Sequence, residues 1–290
     1  MGDELLAGCG ADPLVPDWAT LTLPDAWPDG FDLRKPRDLI TFLSQVFRRA
    51  RSRVHIPDDM PGAHLIPKYV LQEFHNLPNG NYSKRITRGY ITGFDRVMLG
   101  ALGRVREDVA ARMQHMESVV DIGCGGGHMA GALKRAGIPD VWGVDPSPYL
   151  LQHAARDYPD INFVQGIAEC TGFPDQRFDG VAVCFLLHEL PPRYLAEALS
   201  EFGRILKPGG LLAISEPSPV QLEKSWVSLW REWGWSGLYY RALAHLVFEP
   251  FVDAWHKQDV AALFANAGFE LLSDSDAVPI RQLLARKIAH

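Results

Sequence analysis

A glycine-rich turn near the middle of the chain contains residue types suited to binding a charged ligand. Residues 119–128 read VVDIGCGGGH, so that an apolar run leads into glycines and then into a helical pattern. Glycines allow the backbone to turn sharply and to approach a ligand where a Cβ atom would collide. Strand, glycine turn and helix in this order are the layout of nucleotide-binding units. The turn therefore predicts a ligand with a nucleotide or nucleoside part.

Two features of the turn exclude common nucleotide ligands. His128 occupies the third glycine position of the dinucleotide fingerprint, and no Gly-Lys-Ser/Thr sequence follows, which excludes a P-loop. Asp121 stands two residues before Gly123. A carboxylate there would repel a pyrophosphate, but it would attract a cation such as an α-amino group.

A second acidic residue, Asp145, ends the next predicted strand, 24 residues after Asp121. An acid at such a strand end can accept hydrogen bonds from both hydroxyls of a ribose. One site would thus offer a carboxylate for an amine, glycines for close approach and a carboxylate for a sugar. S-adenosylmethionine (SAM), an amino acid joined to a nucleoside, needs all three. The alternative is that both acids are turn carboxylates without a ligand.

The order of motifs along residues 116–216 resembles that of class I SAM-dependent methyltransferases, and within them the small-molecule branch of types 11, 12 and 25. The resemblance rests on Asp121-x-Gly123-x-Gly125 and Asp145, followed by GIAE at 166–169, FDG at 178–180, LLHEL at 186–190 and RILKPGG at 204–210. It implies SAM as the cofactor and methyl transfer as the reaction.

The resemblance also implies which residues contact SAM. They are Asp121, Gly123 and Gly125 at the methionine end, Asp145 at the ribose, Ala168 and Glu169 at the adenine, and Cys184 and Phe185 at the sulfonium. Further candidates for cofactor binding are Cys124, Pro146 and Tyr82, the last reaching over from an N-terminal arm. Ile167 stands where many members of the family carry an acid for the adenine amine. Glu169 or a backbone carbonyl would have to take that role here.

His188 is the candidate catalytic base, because it follows the fourth predicted strand, close to the expected position of the transferred methyl group. A histidine titrates near neutral pH and can deprotonate a phenol or an enol. The alternative is a histidine that packs the junction of strand and helix. No metal site is predicted, since no Cys-x-x-Cys pair is present and the acidic cluster of metal-dependent catechol enzymes is not matched.

A tryptophan-rich segment, residues 217–257, interrupts the later part of the chain. Trp226, Trp230 and Trp233 follow helical spacing and would share one helix face. The segment predicts a cap whose aromatic residues line a pocket for an apolar acceptor. The pocket candidates are Trp230, Trp233, Tyr239 and Tyr240. The alternative is that these side chains form core or a homodimer contact.

The elements that position these residues follow from the hydrophobic pattern. Helices are predicted over residues 37–53 and 91–113. From residue 117 onwards, short apolar runs alternate with helical stretches, which is typical of a parallel sheet covered by helices. We expect a Rossmann-like α/β fold with seven mostly parallel strands and helices on both faces. Residues 1–115 would form an N-terminal arm and helical lid, and residues 116–290 the SAM-binding domain.

Composition limits the function further. The net charge is −6 and the sequence pI is about 5.9, which argues against a nucleic-acid partner. No run of 18 apolar residues is present, so no membrane segment is predicted, and we expect a cytoplasmic protein. The favoured function is methyl transfer to oxygen or carbon of an apolar, aromatic or polyketide-like small metabolite. The alternatives are a protein or RNA methyltransferase, and a non-catalytic SAM-binding regulator.

Overall fold

Seven strands form one sheet in the computed structural model, which describes residues 12–48 and 50–288. The strands are β1 (Ser118–Ile122), β2 (Asp140–Asp145), β3 (Asn162–Gln165), β4 (Phe178–Cys184), β5 (Leu206–Pro217), β6 (Phe269–Asp276) and β7 (Ile280–Lys287). Their spatial order is β3-β2-β1-β4-β5-β7-β6. Strands β1 to β5 run parallel, and β7 runs antiparallel to both of its neighbours. The predicted seven-stranded, mostly parallel sheet is confirmed.

Helices cover both faces of this sheet. In chain order they are α1 (Pro36–Phe47), α2 (Lys84–Val97), α3 (Ala101–Met113), α4 (His128–Arg135), α5 (Pro148–Asp157), α6 (Pro192–Ile205), α7 (Val220–Glu223), α8 (Trp226–Leu246), α9 (Val252–His256) and α10 (Val260–Asn266). Successive residues of a strand point to opposite faces. Val120 of β1 therefore belongs to a core with α6 and α10, whereas Val119 belongs to a core with α3, α4 and α5.

The strand order reverses at β1, because β2 and β3 lie on one side of it and β4 lies on the other. In open α/β sheets, ligands bind outside the carboxyl ends of the strands at such a point. Here β1, β2 and β4 end at Ile122, Asp145 and Cys184. The sequence motifs therefore meet at one edge of the sheet.

The single long helix predicted over residues 91–113 is wrong, because this part of the chain forms two helices, α2 and α3. Leu99 and Gly100, between them, have left-handed φ angles of 49° and 73°, which interrupt a right-handed helix. Helix α2 also begins earlier than predicted, since the Ser83 hydroxyl accepts a hydrogen bond from the Ile86 N–H and caps its first turn. Residues 1–11 of the predicted arm lie outside the described part of the chain.

The tryptophan-rich segment forms α7, α8 and α9 between β5 and α10. Helix α8 lies against the junction of α2 and α3, where the hydroxyls of Tyr239 and Tyr240 donate to the carbonyls of Val97 and Met98 over 2.8 and 2.7 Å. Gly234 breaks the helical geometry inside α8, with φ 59° and ψ −140°. None of the helices in the described residues has the length and apolarity needed to cross a membrane.

Candidate active site

The glycine turn between β1 and α4 forms the floor of a cleft at this edge of the sheet. Gly123 and Gly125 both have positive φ, 71° and 53°. A Cβ atom at Gly123 would lie 2.9 Å from Leu186 Cδ1, so a side chain there would clash. A Cβ atom at Gly125 would meet nothing within 4 Å and would project into open space. The backbone at Gly125 is therefore exposed to whatever occupies the cleft, as the sequence predicted for a close-approach glycine.

Asp121 lies fully buried at the end of β1, on the wall of the cleft. Its Oδ2 accepts a hydrogen bond of 3.0 Å from the Ala130 N–H, whereas its Oδ1 has no partner among residues 12–48 and 50–288. Burial raises the pKa of Asp121 to about 7, and the bond from Ala130 and the charge of Arg106 offset only part of that effect. An unpartnered buried carboxylate oxygen is a site for a cationic ligand group.

Asp145 ends β2 on the opposite side of the glycine turn, and it links the turn to the next helix. Its Oδ2 accepts from the Gly125 N–H over 2.9 Å, and its Oδ1 accepts from the Ser147 N–H over 2.8 Å. Burial raises its pKa to about 7, while these two backbone bonds lower it. Each oxygen of a carboxylate can accept a second hydrogen bond, so Asp145 can also receive two ligand hydroxyls.

The end of the cleft predicted to hold adenine lies beside β3. Ala168 and Ile167 line a small apolar recess there together with Pro146. Glu169 accepts a hydrogen bond of 2.5 Å from the Tyr69 hydroxyl, and its Oε2 has no partner in the described residues. Burial raises the pKa of this carboxyl, which is opposed by the bond from Tyr69. Oε2 of Glu169 is thus available to accept a hydrogen bond, whereas the recess is lined by the neighbouring residues and not by Glu169.

The remaining predicted cofactor residues lie on the cleft wall. Cys124, Pro146, Cys184, Phe185 and Tyr82 all line it. Burial raises the pKa of Cys184 to about 12, so this residue is a neutral thiol and not a nucleophile. Phe185 has a φ of 59°, a strained angle for a residue with a large side chain. This backbone angle places its ring between the cleft and a second cavity.

That second cavity, of about 480 Å³, is here called the acceptor cavity. Its boundary with the cofactor cleft is formed by Phe185, Tyr90 and Phe94, which line both spaces. The rest of its wall is mainly apolar and comes from α1, α2 and α8, including Phe42, Val46, Gly93, Val97, Met98, Tyr240, Leu243 and Ala244. Polar groups reach it from His75, Asn76, Arg85, Gln221 and Glu249. A cleft for a charged ligand therefore adjoins a large apolar space.

Comparison with known proteins identifies the family of the chain. A family model described as a methyltransferase domain matches residues 119–210. An uncharacterised methyltransferase of Synechocystis sp. is 34% identical over 160 residues, which cover 54% of this chain and 68% of the relative. The chain belongs to the class I SAM-dependent methyltransferases. Its cofactor is SAM, which supplies an electrophilic methyl group when bound.

Two further relatives match less of their own length. The demethylmenaquinone methyltransferase of Chlorobaculum parvum is 37% identical over 99 residues, covering 34% of this chain and 40% of the relative. A probable methyltransferase, ltbC, of Aspergillus luteorubrus is 31% identical over 172 residues, covering 52% and 56%. The chain thus spans about half of the length of these two relatives.

The residues of the cleft fit SAM. The free Oδ1 of Asp121 suits the α-ammonium group, and the spare acceptor positions of Asp145 suit the ribose hydroxyls. The open space above Gly125 leaves room for the ligand to approach the backbone. These observations agree with the sequence-based assignments, which stay predictions because no ligand contact is observed.

Of the four residues predicted to line an acceptor pocket, only Tyr240 lines the acceptor cavity of the methyltransferase. Trp230 is 55% exposed. Trp233 lies against Lys224, and the Nζ atom of this lysine is 4.7 Å from the centroid of the Trp233 ring. Tyr239 is turned towards Val97. Trp230 and Trp233 lie in the part of α8 before the break at Gly234, whereas the residues of α8 that line the cavity, Tyr240, Leu243 and Ala244, lie after it.

His188, the predicted catalytic base, is fully buried and lines neither the cleft nor the acceptor cavity. Its Nδ1 lies 2.5 Å from Oε2 of Glu216, at the end of β5. Burial lowers the pKa of His188, but the carboxylates of Glu216 and Glu249 outweigh this effect and raise it to about 9. A histidine behind the wall does not touch the acceptor, so direct proton abstraction by His188 is not supported by its position.

Sequence reasoning missed three polar residues of this region: Glu216, His75 and Glu249. Glu216 carried a local signal, since an acid at the carboxyl end of a strand lies at the ligand-binding edge of such a sheet. His75 and Glu249 belong to segments outside the sheet, and only the packing of those segments brings them together.

Proposed function

We propose that this methyltransferase transfers the methyl group of SAM to an oxygen, or a carbon, of an apolar ring-containing small metabolite. The acceptor would occupy the acceptor cavity. The observation that carries the proposal is the shared wall of Phe185, Tyr90 and Phe94, because it brings an apolar space next to the cofactor cleft. Apolar cavities of several hundred Å³ with a few polar groups are typical small-molecule sites.

The residue roles that we propose follow the geometry of the cleft. Asp121 would bind the α-ammonium group of SAM, Asp145 the ribose, and Glu169 with the recess beside it the adenine. Phe185 would lie between the sulfonium and the acceptor. Because methyl transfer is an in-line displacement, holding the acceptor atom opposite the methyl group supplies much of the rate enhancement.

The name of one relative supports this substrate class, because the protein from Chlorobaculum parvum is named as a demethylmenaquinone methyltransferase. A ring compound carrying a hydroxyl would suit a cavity whose wall is apolar except at His75, Asn76, Arg85, Gln221 and Glu249. We therefore propose a hydroxylated ring compound, without naming one.

The mainly apolar wall of the cavity and the net charge of −6 favour an apolar small acceptor over an RNA. Helix α1 contributes Phe42 and Val46 to one side of the cavity, although no residue of α1 is itself buried. A SAM-binding regulator without activity would need no such cavity beside the cofactor.

A matched pair of glycine variants tests the proposal. Gly93 lies in α2 on the cavity wall and Gly103 lies in α3 away from it, and a Cβ atom at either position would meet nothing within 4 Å. Gly93→Leu would fill part of the cavity, whereas Gly103→Leu would not. The assay incubates each protein with methyl-deuterated SAM and fractionated cell extract, and follows the label by mass spectrometry.

We expect label in the small-molecule fraction with the wild type and Gly103→Leu, and at least about a tenfold lower rate with Gly93→Leu, the effect of about 1.4 kcal/mol in the barrier. S-adenosylhomocysteine (SAH) should bind all three proteins equally. Label only in protein or RNA would contradict the substrate class, and SAH binding without any label would favour the regulator.

A further inference from the structure

Three side chains from distant parts of the chain meet at the wall of the acceptor cavity. His188 follows β4, His75 lies in a short 3₁₀ turn before α2, and Glu249 lies in the loop after α8. Each offers one ligand atom, and these atoms all lie within 4.8 Å of one another. Oε1 of Glu249 is 3.5 Å from His75 Nε2 and 3.8 Å from His188 Nε2. We call this set the His-His-Glu cluster.

Three of the four imidazole nitrogens of the cluster are buried and make no hydrogen bond to the described residues. They are Nε2 of His188, Nδ1 of His75 and Nε2 of His75, of which the last lies 3.4 and 3.5 Å from carboxylate oxygens of Glu189 and Glu249. Buried polar atoms in native proteins are nearly always hydrogen-bonded, so an unpartnered group calls for a missing ligand or ion. Here Nε2 of His188, one ring nitrogen of His75 and a carboxylate oxygen of Glu249 surround the same small volume.

His188 is held in the orientation and tautomer that a metal ligand needs. Glu216 accepts the hydrogen bond of its Nδ1 over 2.5 Å. Glu216 is itself fixed, because it also accepts from the backbone N–H groups of Leu186 and Leu187 over 3.0 and 2.8 Å. Histidines that bind metals typically donate their second ring N–H to a carboxylate in this way. The arrangement leaves Nε2 of His188 directed at the cluster.

The side chains of His75 and Glu249 are brought together by hydrogen bonds between the two loops that carry them, and neither side chain takes part in these bonds. The backbone N–H of His75 donates to the Phe248 carbonyl over 3.0 Å. Asn76 accepts from the Phe248 N–H over 3.2 Å, and its Nδ2 donates to the Leu246 carbonyl over 2.8 Å. The two loops are therefore joined independently of the imidazole and the carboxylate. Both functional groups are left available, and their positions are set in advance.

The carboxylates around the two histidines also favour a bound cation. Besides Glu249, the carboxylate of Glu189 lies 3.4 Å from His75 Nε2, and Glu216 lies behind His188. With both imidazoles neutral, the state in which they bind a metal, these three carboxylates carry a negative charge in a mostly buried place, which is costly unless a cation compensates it. A divalent ion would compensate most of it.

We propose that His75, His188 and Glu249 bind one divalent first-row transition ion, of the zinc or iron(II) type, at the wall of the acceptor cavity. Two imidazoles and one carboxylate are a ligand set for such ions, whereas magnesium and calcium prefer oxygen ligands. With metal–nitrogen distances of about 2.1 Å, the ligand atoms of a tetrahedral site are about 3.4 Å apart. The separations of 3.5 and 3.8 Å to Glu249 are close to this value.

The position of the cluster also assigns the ion a partner. His75 and Glu249 line the acceptor cavity, while His188 lies behind them. The coordination positions not taken by the protein therefore face the cavity. An acceptor with an oxygen donor, such as a hydroxyl on its ring, would bind there. This second step rests on the proposed function, whereas the binding of the ion does not.

The test uses the full chain, freed of metal with a chelator and titrated with Zn²⁺ against a chromophoric competitor. The variants are His75→Ala and Glu249→Gln, and His245→Ala is the control because it removes an exposed histidine of α8 outside the cluster. We expect one Zn²⁺ per chain for the wild type and the control. Each cluster variant should bind at least about a hundredfold more weakly, since even groups that only orient a ligand contribute about 10–100-fold.

SAH binding shows whether each variant is folded. If His75→Ala does not bind SAH, the Zn²⁺ titration of Glu249→Gln tests the site in its place. Wild-type protein without a stoichiometric Zn²⁺ site would overturn the proposal, as would cluster variants that bind Zn²⁺ as the control does. Those results would identify the cluster as a network of protonated histidines and carboxylates. Zinc binding is measured without an acceptor, so its failure is distinct from a failure of the methyl-transfer assay.

Discussion

Replacing Asp121 with asparagine should change cofactor affinity and protein stability in opposite directions. The carboxylate has one oxygen bonded to the Ala130 N–H and one oxygen free in the cleft. Asparagine keeps the shape and can keep the bond to Ala130, but it loses the charge. A hydrogen bond to a charged group contributes about 1.5–3 kcal/mol. Asp121→Asn should therefore weaken SAH binding by about 10- to 150-fold.

The effect on stability follows from the pKa of Asp121, which burial raises from 3.8 to about 7. Above pH 7 the folded protein must hold a buried charge that the unfolded chain holds in water, and below pH 4 neither state carries it. A shift of about three units at 1.36 kcal/mol each gives at most about 4 kcal/mol. The variant without SAH should thus be more stable than the wild type at pH 8, and this gain should disappear at pH 4.

Calorimetric titration with SAH and urea unfolding at pH 8 measure the two effects. Asp179→Asn is the matched control, because Asp179 also accepts a backbone N–H, from Ser118, but lies outside the cleft and pairs with Lys207. Its pKa is lowered through that pairing, although burial opposes the shift. This control should lose stability and keep SAH affinity. Unchanged SAH affinity in Asp121→Asn, or a loss of stability at pH 8, would refute the reasoning.

Three further predictions concern pH, a cap and a strained turn. Because burial raises the pKa values of Asp121 and Asp145 to about 7, SAH binding should release protons, and its affinity should increase from pH 6 to pH 8. Calorimetry in buffers of different ionisation enthalpy measures the proton release. An affinity that does not change with pH would contradict this prediction. Ser83→Ala removes the cap of α2 and should lower the free energy of unfolding in urea by about 1–2 kcal/mol. An unchanged free energy of unfolding would show that the cap does not stabilise the protein. Leu99→Gly relieves a left-handed φ of 49° at a half-exposed position and should stabilise the protein by up to about 1 kcal/mol, whereas destabilisation would show that the Leu99 side chain matters more.

The parts that sequence reasoning predicted well depend on local signals. The strand-turn-helix unit around Gly123 is encoded within ten residues, and β1 and α4 flank the turn in the predicted order. Asp145 follows the same logic one strand later. Such patterns survive folding because a buried parallel strand and a glycine turn leave few alternatives for their neighbours.

The parts that failed depend on backbone angles and on contacts between distant segments. Helical spacing places Trp230 and Trp233 on one helix face, but the residues of α8 that line the cavity lie beyond the break at Gly234. The turn at Leu99 divided a continuous helical pattern in the same way. His75 and Glu249 are joined through the Phe248 backbone, a contact that no local pattern predicts.

A crystal structure of the full chain with SAH would test the central claim most directly. The account predicts that the amino group of SAH lies at Oδ1 of Asp121, that its ribose lies at Asp145, and that its sulfur faces the acceptor cavity beside Phe185. SAH bound with its sulfur directed away from that cavity would contradict the proposal that an apolar small molecule receives the methyl group there.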